Sequence, residues 1–144
     1  MIQFLKSFFK ALRESQTRET IPNIQDQEDL CRYIFSSNHV SATKVKYAAF
    51  LPDKNGETSV FRISGCTENE IWDIGINHVA KLSGRILKAR GDFAASHVRK
   101  SSLDVISETS RHDLHANLVN WPTERDEQKL IAIELANSTK LCKP

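Results

Sequence analysis

Hydrophobic and polar positions recur along the chain with two different periods, and each period predicts a different kind of element. In residues 1–14 the apolar side chains, Phe4, Phe8 and Phe9 among them, recur at spacings of three and four, and the basic side chains lie away from that stripe. This spacing predicts an amphipathic N-terminal helix. Residues 26–35 begin with acidic side chains and continue with apolar ones, which predicts a second helix whose dipole favours acids in its first turn.

A period of two follows and predicts a β-hairpin. Apolar side chains alternate in residues 44–52, and residues 58–64 are rich in side chains that favour strands. Between them, residues 53–56 read Asp-Lys-Asn-Gly, and the Asn-Gly pair readily adopts the positive φ angles of a tight turn. The pattern therefore predicts two neighbouring antiparallel strands.

A third helix is predicted after the hairpin. Thr67 and Glu70 have the spacing of a capping box, in which each side chain accepts a hydrogen bond from the other residue's backbone amide. Apolar residues continue at helical spacing until Gly84, a residue type that commonly ends helices. Residues 67–84 are therefore expected to form one capped helix.

The remaining elements complete a mixed fold. Residues 86–98 and 103–106 have strand-like composition, and Thr123 opens a final helix after a loop that contains a proline. The element order is then ααββαββα, which predicts one α+β domain spanning residues 1–144. Its sheet is expected to be mostly antiparallel, with about four strands and with the helices packed mainly on one face. The helix over residues 1–14 is interpreted as a docking or self-association element.

Composition places the chain among ordinary folded proteins. It has 144 residues, of which 40% are hydrophobic and 26% are charged, enough for one hydrophobic core. The three cysteines are scattered and include no CxxC pair, so they predict free thiols and a reducing compartment. No apolar run approaches the roughly 18 residues of a membrane span. We therefore expect a cytoplasmic protein without a membrane-spanning segment.

The charge is unevenly distributed. The net charge is only +2, but residues 81–100 contain six basic side chains and one acidic side chain, a local excess of +5. Such a stretch can attract an anion or the phosphates of a nucleic acid. It is also the composition of an ordinary solvated surface.

The densest polar cluster is residues 110–117, interpreted as a loop before the last helix. His112 and His115 are three residues apart and can face the same way on a helical turn. They could share a divalent metal ion, or act as acid and base on a phosphate or acyl group, with Asp113 orienting a ring. Because no third or fourth ligand has a recognisable spacing and HExxH is absent, the expectation is that no cofactor is needed, with a metal at His112 and His115 as the alternative.

Several basic and polar residues are candidates for binding an anion. Arg62 stands in a predicted strand, and Lys88 and Arg90 could lie beside it on the same sheet. A guanidinium on an open sheet face binds phosphate or carboxylate through two parallel hydrogen bonds. Arg111 and Asn117 are the corresponding candidates in the histidine loop.

No motif in the chain is strong enough to identify an activity, since no phosphate-binding glycine loop, zinc-ligand pattern or nucleophile elbow occurs. The pattern favours a small interaction or assembly module without catalytic activity, binding another protein or a second copy through Phe4, Phe8 and Phe9. One alternative is a metal- or acid–base-dependent hydrolase of a phosphodiester or nucleotide that uses His112 and His115. The other alternative is a nucleic-acid-binding protein that uses residues 81–100.

Overall fold

A six-stranded antiparallel sheet lies at the centre of the molecule, with its strands in the order β4-β5-β2-β1-β3-β6. The structure is a computed structural model that describes residues 23–144. The strands are β1 (Asp29–Ile34), β2 (Thr58–Arg62), β3 (Ala89–Ala94), β4 (Asp104–Ser107), β5 (His115–Val119) and β6 (Lys140–Cys142). This confirms the prediction of an α+β domain with an antiparallel sheet, although the strand count and the element order differ from those expected.

Three helices accompany the sheet. The first, α1, is continuous and consists of Glu68–Asp73, a π-helical segment Ile74–Ala80 and a last turn Lys81–Ser83. The second, α2, is Ala95–Lys100, and the third, α3, is Arg125–Asn137. Two short 3-10 turns, Ser37–His39 and Tyr47–Ala49, occupy the connection from β1 to β2. No helix within residues 23–144 is long and apolar enough to cross a membrane.

The helices cover both faces of the sheet rather than mainly one. Leu30 and Ile34 of β1 belong to the larger buried cluster, which includes residues of α2 and α3. Cys31 and Tyr33 belong to a smaller cluster with residues of α1. Because successive side chains of a strand point to opposite faces, the sheet has a major face under α2 and α3 and a second face, here called the α1 face. A central strand with apolar side chains on both sides needs a covering layer on each.

The helix expected over residues 26–35 is instead strand β1, so that prediction was wrong. Apolar residues at adjacent positions fit one side of a short helix, but they also fit a strand that is buried on both faces. The register with β3 runs from Asp29 opposite Ala94 to Ile34 opposite Ala89, which makes β1 an interior strand. Its position between two partners therefore overrides the local pattern.

The hairpin expected between residues 44–52 and 58–64 does not form. Strand β2 is present, but it pairs with β1 and β5. Residues 44–52 contain a 3-10 turn, and their buried side chains, including Val45 and Phe50, join the major-face cluster. The turn at residues 53–56 is confirmed, since the Gly56 amide donates to the Asp53 carbonyl at 2.9 Å and Gly56 has φ 76°.

The local signals of α1 are confirmed. The Thr67 side chain accepts from the Glu70 amide at 3.2 Å, and the Glu70 side chain accepts from the Thr67 amide at 3.0 Å. Gly84 ends the helix in the left-handed region with φ 68°. Both signals depend on contacts within a few residues, which explains why the sequence pattern predicts them correctly.

The second half of the chain is divided differently from the expectation. The strand-like stretch over residues 86–98 is β3 followed by α2, and the short run over residues 103–106 falls within β4. The expected loop over residues 110–117 ends inside β5, so His115 and Asn117 are strand residues. Strand β6 has no predicted counterpart.

The last helix is present, but its start differs from the prediction. Its N-cap is Glu124 without a side-chain capping bond, so Thr123 does not act as the cap. Ala132 and Leu135 are buried, whereas Leu130 is exposed. The helix predicted over residues 1–14, with Phe4, Phe8 and Phe9, lies outside the described residues.

Candidate functional site

A cavity of about 260 Å³ lies between strands β2 and β5 and the C-terminal half of α1. Phe61, Val79 and Leu82 form its apolar floor, and the remaining lining residues are polar or charged. The lining residues are Ser59, Phe61, His78, Val79, Leu82, Ser83, Arg85, Arg111, His112 and His115. We call it the Ser59 cavity.

Strand register brings the main polar side chains together. Phe61 of β2 is opposite His115 of β5, and Ser59 is opposite Asn117. Residues two apart on a strand share a face, so all four side chains point to the α1 face. His112 lies in the turn that leads into β5, where its carbonyl accepts from the His115 amide at 3.1 Å. The pairing of two strands distant in sequence therefore builds the cavity.

Ser59 and His115 form the closest side-chain contact in the cavity. The Ser59 Oγ and His115 Nε2 atoms are 2.7 Å apart. On the other side of the ring, Nδ1 is 2.8 Å from the Glu108 carbonyl oxygen and 3.2 Å from the Glu108 carboxylate. A carbonyl oxygen only accepts, so Nδ1 carries a proton; in the neutral ring Nε2 then accepts the hydrogen of the Ser59 hydroxyl. This is the arrangement of a hydroxyl nucleophile and its oriented base.

His112 is held in the opposite tautomer. Its Nδ1 accepts a hydrogen bond from the Leu114 amide at 3.1 Å. Because a backbone amide only donates, the neutral His112 ring carries its proton on Nε2. The Ser59 cavity thus contains His115, whose Nε2 can accept a proton, and His112, whose Nε2 carries one. That pair supplies a general base, His115, and a hydrogen-bond donor, His112, whose neutral ring is too weak an acid to transfer its proton.

Phe61 fixes the orientation of the histidine rings. Its ring centroid is 5.3 Å from that of His115 and 5.5 Å from that of His112, both nearly edge-to-face. The His78 ring contacts His112 with centroids 4.8 Å apart. Edge-to-face contacts of this kind restrict ring rotation at modest energetic gain. The rings are therefore held in place from the apolar floor of the cavity.

The charged groups around the cavity favour an anionic ligand. Arg85 and Arg111 are both exposed, and Arg85 stacks over the Phe35 ring at 4.3 Å. Glu108 is the nearby acid, and its pKa is lowered by the hydrogen bond from the Ser110 side chain and, more weakly, by His115. A carboxylate that stays ionised beside Nδ1 supports the proton on that atom.

The structure separates the other predicted histidine-loop residues. Arg111 lines the Ser59 cavity with both predicted histidines, and Asn117 lies buried on the same sheet face opposite Ser59. Asp113 lines a neighbouring cavity of about 550 Å³ together with His112. His112 therefore lies between two cavities, and His115 opens to only one of them.

The predicted cluster of Arg62, Lys88 and Arg90 is not brought together. Arg62 points to the major face, where its Nε and Nη2 atoms donate to the two Glu28 carboxylate oxygens at 2.8 and 2.7 Å. Lys88 is exposed and precedes β3. These side chains lie on different parts of the sheet, because a strand residue's face depends on its exact register.

Arg90 is also engaged within the fold. It lies on the α1 face, donates to both carboxylate oxygens of Glu68 and of Asp92, and stacks over Trp72 at 4.7 Å. Arg99 forms ion pairs with Asp26 and Asp104. Two of the six basic residues in the 81–100 stretch are thus neutralised by carboxylates. The local positive charge available to a nucleic acid is correspondingly smaller than the sequence indicates.

Sequence reasoning missed Ser59, Glu108 and His78, and it covered Arg85 only as part of the basic stretch over residues 81–100. The cavity places Ser59 and Arg85 in its wall and leaves His78 partly exposed. No spacing rule connects Ser59 to His115, because the two residues are 56 positions apart. Only the antiparallel pairing of β2 with β5 makes them neighbours.

The side chains around His112 and His115 do not form a metal-binding group in the described part of the chain. Within residues 23–144 no group of three or more histidine, cysteine or carboxylate side chains is arranged to hold a metal. Both ring nitrogens of His115 are engaged, with Ser59 and with Glu108. Cys31, Cys66 and Cys142 are free thiols.

Comparison with known proteins provides no relative for this chain. No protein-family model matches it, and neither a curated protein nor a solved structure does. Function is therefore inferred from the residues of the cavity rather than from the fold, which can host many activities.

Proposed function

We propose that the protein is a hydrolase of phosphodiesters, with Ser59 as nucleophile, His115 as general base and His112 as a hydrogen-bond donor to the phosphoryl oxygens. The observation that carries this proposal is the 2.7 Å contact between Ser59 Oγ and His115 Nε2 in a ring whose Nδ1 is bound to Glu108. A serine hydroxyl is a weak nucleophile until an oriented base accepts its proton.

The first step forms a bond between Ser59 Oγ and the substrate phosphorus. The Ser59 proton moves to His115 Nε2, and the bond from phosphorus to the leaving oxygen breaks. The leaving oxygen takes a proton from water, while His112 Nε2–H keeps its proton and donates a hydrogen bond to a phosphoryl oxygen. The tautomers set by Glu108 and Leu114 give the base and this donor the states that the step needs.

The second step releases the phosphoryl group from Ser59. Water attacks the phosphorus and loses a proton to the solvent, which replaces the proton taken up by the leaving alcohol. His115 returns its proton to Ser59 Oγ as the bond from oxygen to phosphorus breaks. Each histidine ends in its starting state, and the products are an alcohol and a phosphomonoester.

Substrate charge is matched by the arginines at the cavity. Arg85 and Arg111 both line it and are both exposed. Guanidinium groups bind phosphoryl oxygens through paired hydrogen bonds and stabilise the charge that develops on them. A phosphodiester carries an anionic phosphoryl group of this kind, which is why it is preferred to a neutral ester.

The test is hydrolysis of bis(p-nitrophenyl) phosphate by the full chain and its variants. Ser59→Ala and His115→Asn should each lower kcat/KM by at least about 100-fold, the effect expected when a positioned proton acceptor or its nucleophile is removed. The matched control is Ser83→Ala, an exposed serine of the same cavity, which should retain the wild-type rate.

Mass spectrometry of the rapidly quenched reaction should detect a phosphoryl adduct on Ser59 in the wild type. A circular dichroism spectrum identical to the wild type is required of each variant, so that loss of folding is not taken for loss of catalysis. Turnover that persists unchanged in Ser59→Ala, or no turnover by the wild type, would reject the hydrolase.

A second candidate function is assembly with another copy of the chain. Ile76 and Ile86 are 47% and 75% exposed and line a cavity of about 460 Å³ at the end of α1. Exposed aliphatic side chains grouped around a concavity are typical of protein-interaction surfaces. This surface supports the interaction module that the sequence favours, through residues other than Phe4, Phe8 and Phe9.

A further inference from the structure

A second, smaller cavity shares one lining residue, Arg85, with the Ser59 cavity. It measures about 140 Å³ and is built around the connection that follows β1. Its lining residues are Arg32, Tyr33, Phe35, Ser36, His39, Ala49 and Arg85. We call it the Arg32 cavity.

Arg32 occupies the place where β1 and β2 separate. The two strands pair only at Leu30 with Arg62 and at Cys31 with Phe61. Beyond those pairs, Arg32 Nε donates to the Ala49 carbonyl and Nη1 to the Ser59 carbonyl, each at 2.9 Å. The guanidinium thus replaces the missing ladder hydrogen bonds and is held rigidly between two backbone segments.

Arg32 is partly buried and lacks the carboxylate partners of the two fully buried arginines, Arg62 and Arg90. Arg62 and Arg90 both form bidentate pairs with carboxylates. The two partners of Arg32 are neutral carbonyl oxygens, and within residues 23–144 no carboxylate forms an ion pair with it. Removing a cation from water without an opposite charge is costly, so such a group is suited to binding an anion.

The nearest titratable groups add positive charge to this site. Burial, and to a smaller extent Arg85, lowers the pKa of Arg32 to about 10, while Asp53 acts in the opposite direction. Burial and then Arg32 lower the pKa of His39. Two arginines and a histidine therefore line one small cavity, and each positive charge makes the charged form of its neighbours less favourable.

Donor geometry completes the site. The two carbonyls use the Nε–H group and one N–H group of Nη1, so three of the five N–H groups of Arg32, including both on Nη2, remain as donors. The Ser36 Oγ accepts from the Asn38 amide at 3.2 Å, which leaves its hydroxyl hydrogen to donate. Phe35 under Arg85 orients the second guanidinium.

We propose that the Arg32 cavity binds a phosphate group, either free inorganic phosphate or the terminal phosphate of a larger molecule. The volume accommodates one such group and its contacts, and the charge, the rigid guanidinium and the hydroxyl donor match its oxygens. The site is separate from the Ser59 cavity, although Arg85 borders both. It does not depend on the proposed hydrolase activity.

The experiment is isothermal titration calorimetry of the full chain with inorganic phosphate, repeated with adenosine monophosphate. Two matched variants separate the cavities, because His39 lines only the Arg32 cavity and Arg111 lines only the Ser59 cavity. Arg85→Gln should weaken phosphate binding by about tenfold, the effect of losing one charged hydrogen bond. His39→Gln should weaken it by up to about tenfold, because a bound anion favours the protonated imidazole and glutamine cannot carry that charge. Arg111→Gln should leave unchanged the binding event that His39→Gln weakens, since any phosphate held in the Ser59 cavity is a separate event.

Arg32→Gln should abolish binding, and a thermal unfolding curve of that variant separates loss of the site from loss of the fold. Since Arg32 also supports β1, the result from His39→Gln decides the question even if Arg32→Gln unfolds. Tighter binding of adenosine monophosphate than of phosphate identifies a terminal phosphate as the ligand, and equal or weaker binding identifies the free ion. Absence of phosphate binding to the wild type, or binding weakened by Arg111→Gln and not by His39→Gln, overturns the proposal.

Discussion

At the scale of single residues, the most deeply buried charges, Glu28, Arg62 and Arg90, are paired with opposite charges. Glu28 and Arg62 are 2% and 1% exposed and form two short hydrogen bonds with each other, and Arg62 Nη1 also donates to Ser107 Oγ at 3.1 Å. A pair of this kind need not stabilise more than apolar residues would, but breaking it leaves a buried charge without its counterion. The burial of a charged residue therefore decides how much the free energy of unfolding changes when its partner is removed.

Glu28→Gln should lower the free energy of unfolding by about 3 kcal/mol, because Arg62 then remains buried without a carboxylate. Urea denaturation followed by tryptophan fluorescence measures this change. The control is Asp26→Asn, which removes a partner of Arg99 at a site where the aspartate is 67% exposed. That variant should lose about 1 kcal/mol or less, since surface ion pairs contribute little. Equal losses in the two variants would contradict the role given to burial.

At the scale of elements, two threonines with the same sequence pattern have different outcomes. Thr67 caps α1, and both hydrogen bonds of its capping box are formed. Thr123 has an acid three residues later as well, yet the N-cap of α3 is Glu124 and no side chain caps it. The capping pattern alone does not determine the start of a helix, because the preceding chain must also enter at the required angle.

Thr67→Ala should lower the free energy of unfolding by about 1 kcal/mol, since the Glu70 amide loses its acceptor at the start of α1. Thr123→Ala is the matched control and should change stability by less than about 0.5 kcal/mol, as expected for an exposed residue without a capping role. Thermal or urea denaturation distinguishes the two. A larger effect at Thr123 than at Thr67 would show that the caps are assigned to the wrong residues.

At the scale of the whole molecule, the close approach of α1 to the sheet shapes the Ser59 cavity and the neighbouring cavity that Asp113 lines. A Cβ atom placed on Gly75 would lie 2.6 Å from Tyr33 Cε1, so only glycine permits this packing distance. The Tyr33 hydroxyl donates to the Ile71 carbonyl at 2.5 Å and ties the helix to β1. The same helix presents Ile76 to solvent, on the surface proposed for assembly.

If this surface mediates assembly, the Ile76→Ser, Ile86→Ser double variant should shift the chain toward monomer, because it removes apolar area that association would bury. Native mass spectrometry across a range of protein concentrations measures the distribution. Leu130→Ser is the control, since Leu130 is 66% exposed on α3 and lies outside this surface. A wild-type chain that is monomeric at every concentration would reject self-association as its function.

The sequence by itself determined the features that depend on near neighbours. The α+β class, the turn ending at Gly56, the capping box at Thr67 and the stop at Gly84 each rest on contacts within a few residues. The polar cluster around His112 and His115 was likewise visible as a candidate site, although its secondary structure was not. Local chemistry is sufficient wherever the partners are close along the chain.

Tertiary structure alone decided which strands pair and which face each side chain occupies. Residues 26–35 became β1 because two neighbouring strands satisfy its backbone, and residues 44–52 lost their expected pairing because β2 pairs with β1 and β5. Ser59 meets His115 for the same reason, across 56 positions of sequence. In a strand, a shift of one residue reverses every side chain, so contacts of this kind depend on a register that no local pattern contains.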